Sequence, residues 1–178
     1  CGGCGISCLD LNFQNADPIC DASGAGAPQC SFQCKGSYVD VDGLPGCECL
    51  PSSATDLPDV NGVDANCDGI DGELDKSIFV AKTGRDNGLG TIVDPLRTIQ
   101  AGINKAVTLG KRDVLVATGV YSESITLANK VNVYGGYSPD FDQRDRFTHE
   151  SAILGVDPTD ALRGTVNATS IATTAANA

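Results

Sequence analysis

The sequence predicts a mainly β chain in which a small disulfide-rich module precedes the start of a parallel β-solenoid. Eight of the nine cysteines fall within the first 49 residues. Short β-branched runs then recur about every 20 residues through the C-terminal part, the period of a stacked coil. Between the two lies an acidic block: residues 40–75 hold ten of the 23 acidic side chains and no Lys or Arg.

At 178 residues, 41% hydrophobic and 20% charged, the chain is long and apolar enough for one or two domains with a buried core. Nearly all of the net charge of -11 resides in the acidic block. Such a block repels itself unless cations neutralise it, and it argues against a nucleic-acid partner. No run of about 18 apolar residues is present, so no transmembrane segment is expected. The start carries no charged region followed by an apolar one, so a secreted chain is expected to be a mature form or an excised fragment. Lipidation of Cys1 is an alternative that the N-terminal position leaves open.

The first segment, residues 1–50, is rich in Cys, Gly and Ala. Its cysteines, Cys1, Cys4, Cys8, Cys20, Cys30, Cys34, Cys47 and Cys49, enclose too little apolar material for an ordinary core. Disulfides must then hold it, each worth roughly 2 to 4 kcal/mol. That density suits a periplasmic or extracellular location rather than reducing cytosol. Cys67 makes the count odd, which leaves one thiol to pair with a neighbouring module or another chain. Zinc would require a second close cysteine pair and usually histidines, whereas the sole histidine is the distant His149.

The second segment, residues 51–75, is read as an aspartate-rich calcium-binding linker. Oxygen ligands at alternate positions, with glycine at the sharp turn, are what a hard divalent cation requires. The best register places Asp64, Asn66 and Asp68 at positions 1, 3 and 5 of a loop, Gly69 at 6, the Ile70 carbonyl at 7 and Asp75 at 12. This follows the EF-hand spacing except for the final Asp in place of Glu. No helical period precedes the loop, and Asp71 and Glu73 fall within it as further carboxylates. A second, overlapping set is Asp56, Asp59, Asn61 and Asp64. The alternative is a solvated acidic linker, disfavoured because the spacing is regular and no base is nearby.

The third segment, residues 76–178, has the clear periodicity. Ser77 to Ala81 reads as a strand, and Asp94-Pro95 as a helix start with Asp94 as N-cap and Pro95 at the first position. Leu96, Ile99, Ile103, Ala106 and Val107 recur at helical spacing, with Gly110 as the terminating residue. The runs 114–116, 131–133, 152–154 and 170–172 are the repeated strand cores, with 121–127 and 134–137 supplying other sides of the coil. An antiparallel sandwich is the competing architecture.

The stretch I-F-V-A-K-T-G-R-D-N-G-L-G-T-I-V-D-P-L-R-T-I-Q-A-G-I-N-K-A, followed by V-L-V-A-T-G-V-Y-S-E-S-I-T-L and V-N-V-Y-G-G-Y, resembles the opening of pectin-lyase-like domains. The resemblance covers about residues 78–155 and implies a right-handed parallel β-helix whose N-terminal helix caps the coil. The start C-G-G-C-G-I-S-C, with D-V-D-G-L-P-G-C-E-C, is similar to cysteine-rich modules of large secreted bacterial proteins. The run V-D-A-N-C-D-G-I-D-G-E resembles the aspartate-rich metal motif that accompanies them.

These resemblances imply a non-enzymatic surface role: a structural or adhesive protein stabilised by calcium, in contact with other copies of itself, with neighbouring surface proteins or with carbohydrate. A surface fibre built by stacking is one form of it, since the small, polar residues 165–178 offer no cap to a coil. The alternatives are a fragment of a polysaccharide lyase or hydrolase, and a carbohydrate-binding module. Asp140, Asp142, Arg144, Asp145 and Arg146 read as surface ion pairs rather than a catalytic set. Tyr134, Tyr137 and Phe141 read as turn anchors more readily than as a sugar-stacking platform. His149 alone supports no acid-base scheme.

Overall fold

The computed structural model describes residues 7, 8, 11–24 and 26–155 together with the backbone of 166–167. Compactness divides the chain into two units: Cys1–Asp56 with Asp64–Gly69, and Leu57–Val63 with Ile70–Ala178. The stretch expected to be a linker thus contributes residues to both.

Among the described residues the first unit has one antiparallel hairpin, β1 (Ala16–Asp21) with β2 (Gln29–Cys34). Most of its residues are exposed, with Ala16, Cys8 and Cys47 among the few buried apolar ones. Cross-links therefore replace a core. Cys8 is bonded to Cys30, Cys34 to Cys47 and Cys49 to Cys67. Cys20, the cross-strand neighbour of Cys30, is also disulfide-bonded. All seven described cysteines are oxidised, including Cys67, whose partner is Cys49. Cys1 and Cys4 lie outside the described residues. Disulfides are a feature of oxidising compartments. Among the described residues no helix is long and apolar enough to cross a membrane.

In the second unit the strands are β3 (Ser77–Val80), β4 (Asp113–Ala117), β5 (Gly119–Ser122), β6 (Ile125–Thr126), β7 (Asn132–Tyr137), β8 (Ser151–Leu154) and β9 (Val166–Asn167). The helix α1 spans Ile99–Leu109. β3, β4 and β7 form a three-stranded parallel sheet, while β5 pairs with β8 and β6 with β9 in separate two-stranded parallel sheets.

This corrects the expected β-helix. The pairings are parallel, but the sheets hold two or three strands each, and no closed or solenoid sheet exists among the described residues. Of the repeated strand cores, Val114–Val116 and Val133 do stand side by side in β4 and β7. Ala152–Leu154 instead joins β5. The cause is the excursion after β7: Tyr137 bridges antiparallel to Arg144, and the chain re-enters beside β5 rather than extending the first sheet. The run at 170–172 lies outside the described residues.

Both faces of β3 and β4 are covered, which explains why they read as continuous apolar runs. Ile78, Val80, Val114 and Val116 pack with Ile99, Ile103 and Ala106 of α1 on one face. Phe79, Ala81, Leu115 and Ala117 pack with Ile70, Tyr137 and Phe141 on the other. Gly102 lets α1 approach the sheet, since a Cβ there would lie 2.6 Å from Val80 Cγ2 and 2.9 Å from Val114 Cγ1.

The helix begins later than the Asp94-Pro95 pair suggests. Its N-cap is Thr98, whose side chain accepts from the Ala101 N–H at 3.3 Å. Asp94 instead accepts from the Leu89 N–H at 2.9 Å and pairs with Arg85, both of which hold its carboxyl below the usual range. Gly110 ends α1 at φ 64° as expected, whereas Val107 faces solvent rather than the core.

Candidate metal centre

The alternate-ligand stretch folds in two parts. In the first unit, Asp64 Oδ1 accepts from the Asp68 N–H at 3.2 Å and its Oδ2 from the Gly69 N–H at 2.8 Å. Asn66 Oδ1 also accepts from the Asp68 N–H at 3.2 Å, and its Nδ2 donates to Asp68 Oδ2 at 3.0 Å. The loop is pinned at Cys67 by the bond to Cys49. Asp56, buried, accepts from the Ala65 N–H at 3.2 Å. Asp64, Asn66 and Asp68 are thus brought together on one loop, and local backbone N–H groups occupy several of their oxygens.

The rest of the expected set belongs to the second unit. Asp59 Oδ1 accepts from the N–H groups of Asn61 at 2.6 Å and Gly62 at 3.0 Å. Asp71 is buried and accepts from the Asp59 N–H at 3.0 and 3.2 Å and from Arg144 Nη1 at 3.2 Å. Glu73 pairs with Arg112 at 3.1 Å and Asp75 with Lys76 at 2.6 Å. Ile70 is sunk in the apolar cluster with Phe79 and Leu115. Bases absent from the acidic block itself therefore reach three of its carboxylates from elsewhere in the chain.

A further acidic cluster lies in the first unit. One carboxylate oxygen from each of Asp40, Asp42 and Glu48 lies within 4.8 Å of the others, with Asp40 half-buried and the other two exposed. Among the described residues this is the one group of three Asp, Glu, His or Cys side chains so gathered. Local geometry explains it. Val39 and Cys49 form an antiparallel bridge with backbone bonds of 2.8 and 3.2 Å, which closes the loop between them. Asp40 Oδ1 accepts from the Gly43 N–H and Asp42 Oδ1 from the Leu44 N–H, each at 2.8 Å. Glu48 stands between Cys47 and Cys49, both disulfide-bonded. Gly46, at φ 154°, admits the glutamate, because a Cβ there would lie 2.9 Å from Glu48 Oε1.

Two carboxylates at such a separation repel by about 1 kcal/mol even at the permittivity of water. A divalent cation would relieve that repulsion, and oxygen donors of this kind suit a hard ion. The three side chains fit that chemistry as a partial ligand set, since six to eight oxygens are needed for calcium.

No protein-family model, curated protein or solved structure matches this chain. The chemistry must therefore be read from its own residues.

The sequence-based set omits Asp40, Asp42 and Glu48, although a signal for them exists. Asp40-Val41-Asp42-Gly43 repeats the alternate side-chain oxygen donors and following glycine of Asn66-Cys67-Asp68-Gly69, and Glu48 is the single residue between two cysteines. The remaining candidates resolve differently. Arg144 is not in a surface ion pair with its sequence neighbours but reaches Asp71. Phe141 is buried and meets Phe79 edge-on at 4.9 Å, which makes it a core residue. His149 is half-buried, and its backbone N–H donates to the Asp145 carbonyl at 2.7 Å.

Proposed function

We propose that this chain is an extracellular structural or adhesive module, with no reaction of its own, whose disulfide-stapled first unit is stabilised by calcium at Asp40, Asp42 and Glu48. The observation that supports the reading is the gathering of three carboxylates on a loop held at its end by the Cys34–Cys47 and Cys49–Cys67 bonds. A loop so constrained loses little entropy when it takes up an ion, and an exposed, partly hydrated site suits the 10⁻⁴ to 10⁻³ M affinities of extracellular calcium modules. The partners in this reading are further copies of the chain or neighbouring surface proteins. The resemblance to cysteine-rich modules of secreted bacterial proteins points the same way.

The test is calcium titration of the oxidised protein by calorimetry, with melting followed in calcium, in magnesium and in chelator. Calcium at a hundredfold excess over its Kd should stabilise the first unit by about 2.7 kcal/mol. The Asp42→Asn, Glu48→Gln double variant should lose that gain while keeping its disulfides. Identical melting in calcium and in chelator, with no saturable heat, would overturn the assignment.

A further inference from the structure

A cavity of about 260 Å³ opens beside the outer edge of β3 in the second unit. Ile78 and Phe79 of that strand line it, with Leu89 and Ile92 of the following loop, Leu74 ahead of the strand and Leu109 at the end of α1. Those leucines are 41%, 65% and 53% exposed. One exposed leucine is ordinary, but three around a single apolar hollow make a surface that gains by being covered.

Its polar groups are few and mostly engaged. Ser77 Oγ donates to the Glu73 carbonyl at 2.7 Å, and Thr91 Oγ1 accepts from the Asp94 N–H at 3.2 Å. Lys111 is the one charged residue of the lining, and its Nζ donates to the Asp75 carbonyl. An ammonium has three donors, so the contact to Asp75 leaves capacity for an incoming acceptor. The Asp75 carboxylate is paired with Lys76 at 2.6 Å.

We propose that this cavity binds a medium-chain alkyl carboxylate, with the chain against the leucines and the carboxylate on Lys111. An apolar hollow with a single cation among its lining residues selects that chemistry: the chain gains by leaving water, and the head forms a charge-assisted hydrogen bond. A hollow of about 260 Å³ that is open to solvent on one side has room for a chain of several methylene groups. This inference is independent of the calcium reading, since every residue it uses belongs to the second unit.

The experiment is calorimetric titration of the full oxidised chain with octanoate, octan-1-ol and acetate, all below micellar concentration. Octanoate should saturate one site, octanol should bind it about tenfold more weakly, and acetate should not bind. Lys111→Gln should bring octanoate down to the level of octanol. Leu109→Glu, at the exposed end of α1, should abolish both, and Leu89→Glu on the loop serves the same purpose should the helix variant fail to fold. Absence of saturation by octanoate, equal binding of octanoate and acetate, or octanoate affinity unchanged by Lys111→Gln would each overturn the proposal.

Discussion

Arg144 Nη1 stands 3.2 Å from Oδ2 of Asp71, a carboxylate 73 residues earlier in the chain. The carboxylate is 1% and the guanidinium 14% exposed. Arg144 Nε also donates to the Gly135 carbonyl at 3.0 Å, and Nη1 to the Asp59 carbonyl. Its Cζ lies 5.8 and 5.5 Å from the ring centroids of Tyr134 and Tyr137, and the Tyr137 hydroxyl donates to the Asp71 carbonyl at 2.6 Å. One arginine thus ties the strap 57–63, the turn at Asp71 and strand β7 together within the second unit.

Removing one member of a buried pair withdraws the counter-charge from the other, at a cost of about 3 to 5 kcal/mol. Arg144→Gln should therefore lower the stability of the second unit by an amount near 3 kcal/mol in urea unfolding. Arg144→Lys should recover only part of it, because an ammonium cannot reproduce the planar fork. Asp71→Asn placed on the Arg144→Gln background should be nearly neutral, and a full additive loss in the double variant would show that the two residues act separately.

Glu123 plays a comparable part for α1. Its two carboxylate oxygens accept from the N–H groups of Ile99 at 2.8 Å and Gln100 at 3.0 Å, the first residues of the helix. A carboxylate there satisfies two donors that the helix leaves open and meets the positive end of its dipole. Glu123→Ala should cost about 1 to 2 kcal/mol, and Glu123→Gln roughly half as much. Hydrogen exchange should localise the loss to the first turn of α1; unchanged protection of Ile99 and Gln100 would refute the capping role.

The periodic parts of this fold are legible in sequence because a single face or strand decides them. Ile99, Ile103 and Ala106 mark the buried stripe of α1, and Gly110 its end, without knowledge of anything distant. The strand cores at Val114 and Val133 are equally local, yet which strand each will lie beside is not, and there the regular spacing misled. The turn after Tyr137 redirects the chain for reasons of tertiary packing: a Cβ on Gly136 would lie 3.1 Å from the Arg146 backbone. The acidic block shows the same limit. Its spacing is regular, but the bases that meet Asp71 and Glu73 come from Arg144 and Arg112, invisible at short range.

The disulfides of the first unit supply what its meagre core does not. The bonds Cys8–Cys30, Cys34–Cys47 and Cys49–Cys67 close segments of 22, 13 and 18 residues. Loops of that size are worth about 3 kcal/mol each in the chain-entropy account, comparable with the whole stability of a small unit. Mild reduction should expose residues 11–50 to rapid proteolysis while the cores around Val80 and Leu115 stay protected. Mass spectrometry of the fragments reads this directly, and cleavage spread evenly over both units would contradict it.

Tyr121 offers a pH test of the apolar cluster under α1. Its side chain is 1% exposed, and its hydroxyl donates to the Ala117 carbonyl at 2.9 Å. Burial, reinforced by the charge of Glu123, pushes its ionisation up from an ordinary value of 10.0 to about 12. The fold therefore favours the neutral phenol. That contribution is complete below the unfolded value near 10 and is lost as pH climbs through the folded value of about 12. Tyr121→Phe should cost about 1 kcal/mol at neutral pH through the missing hydrogen bond. Between pH 10 and 12 the gap between the two proteins should close and then reverse, because phenylalanine has no proton to lose. Stability curves that stay parallel through that window would mean that the buried hydroxyl is not the group that titrates.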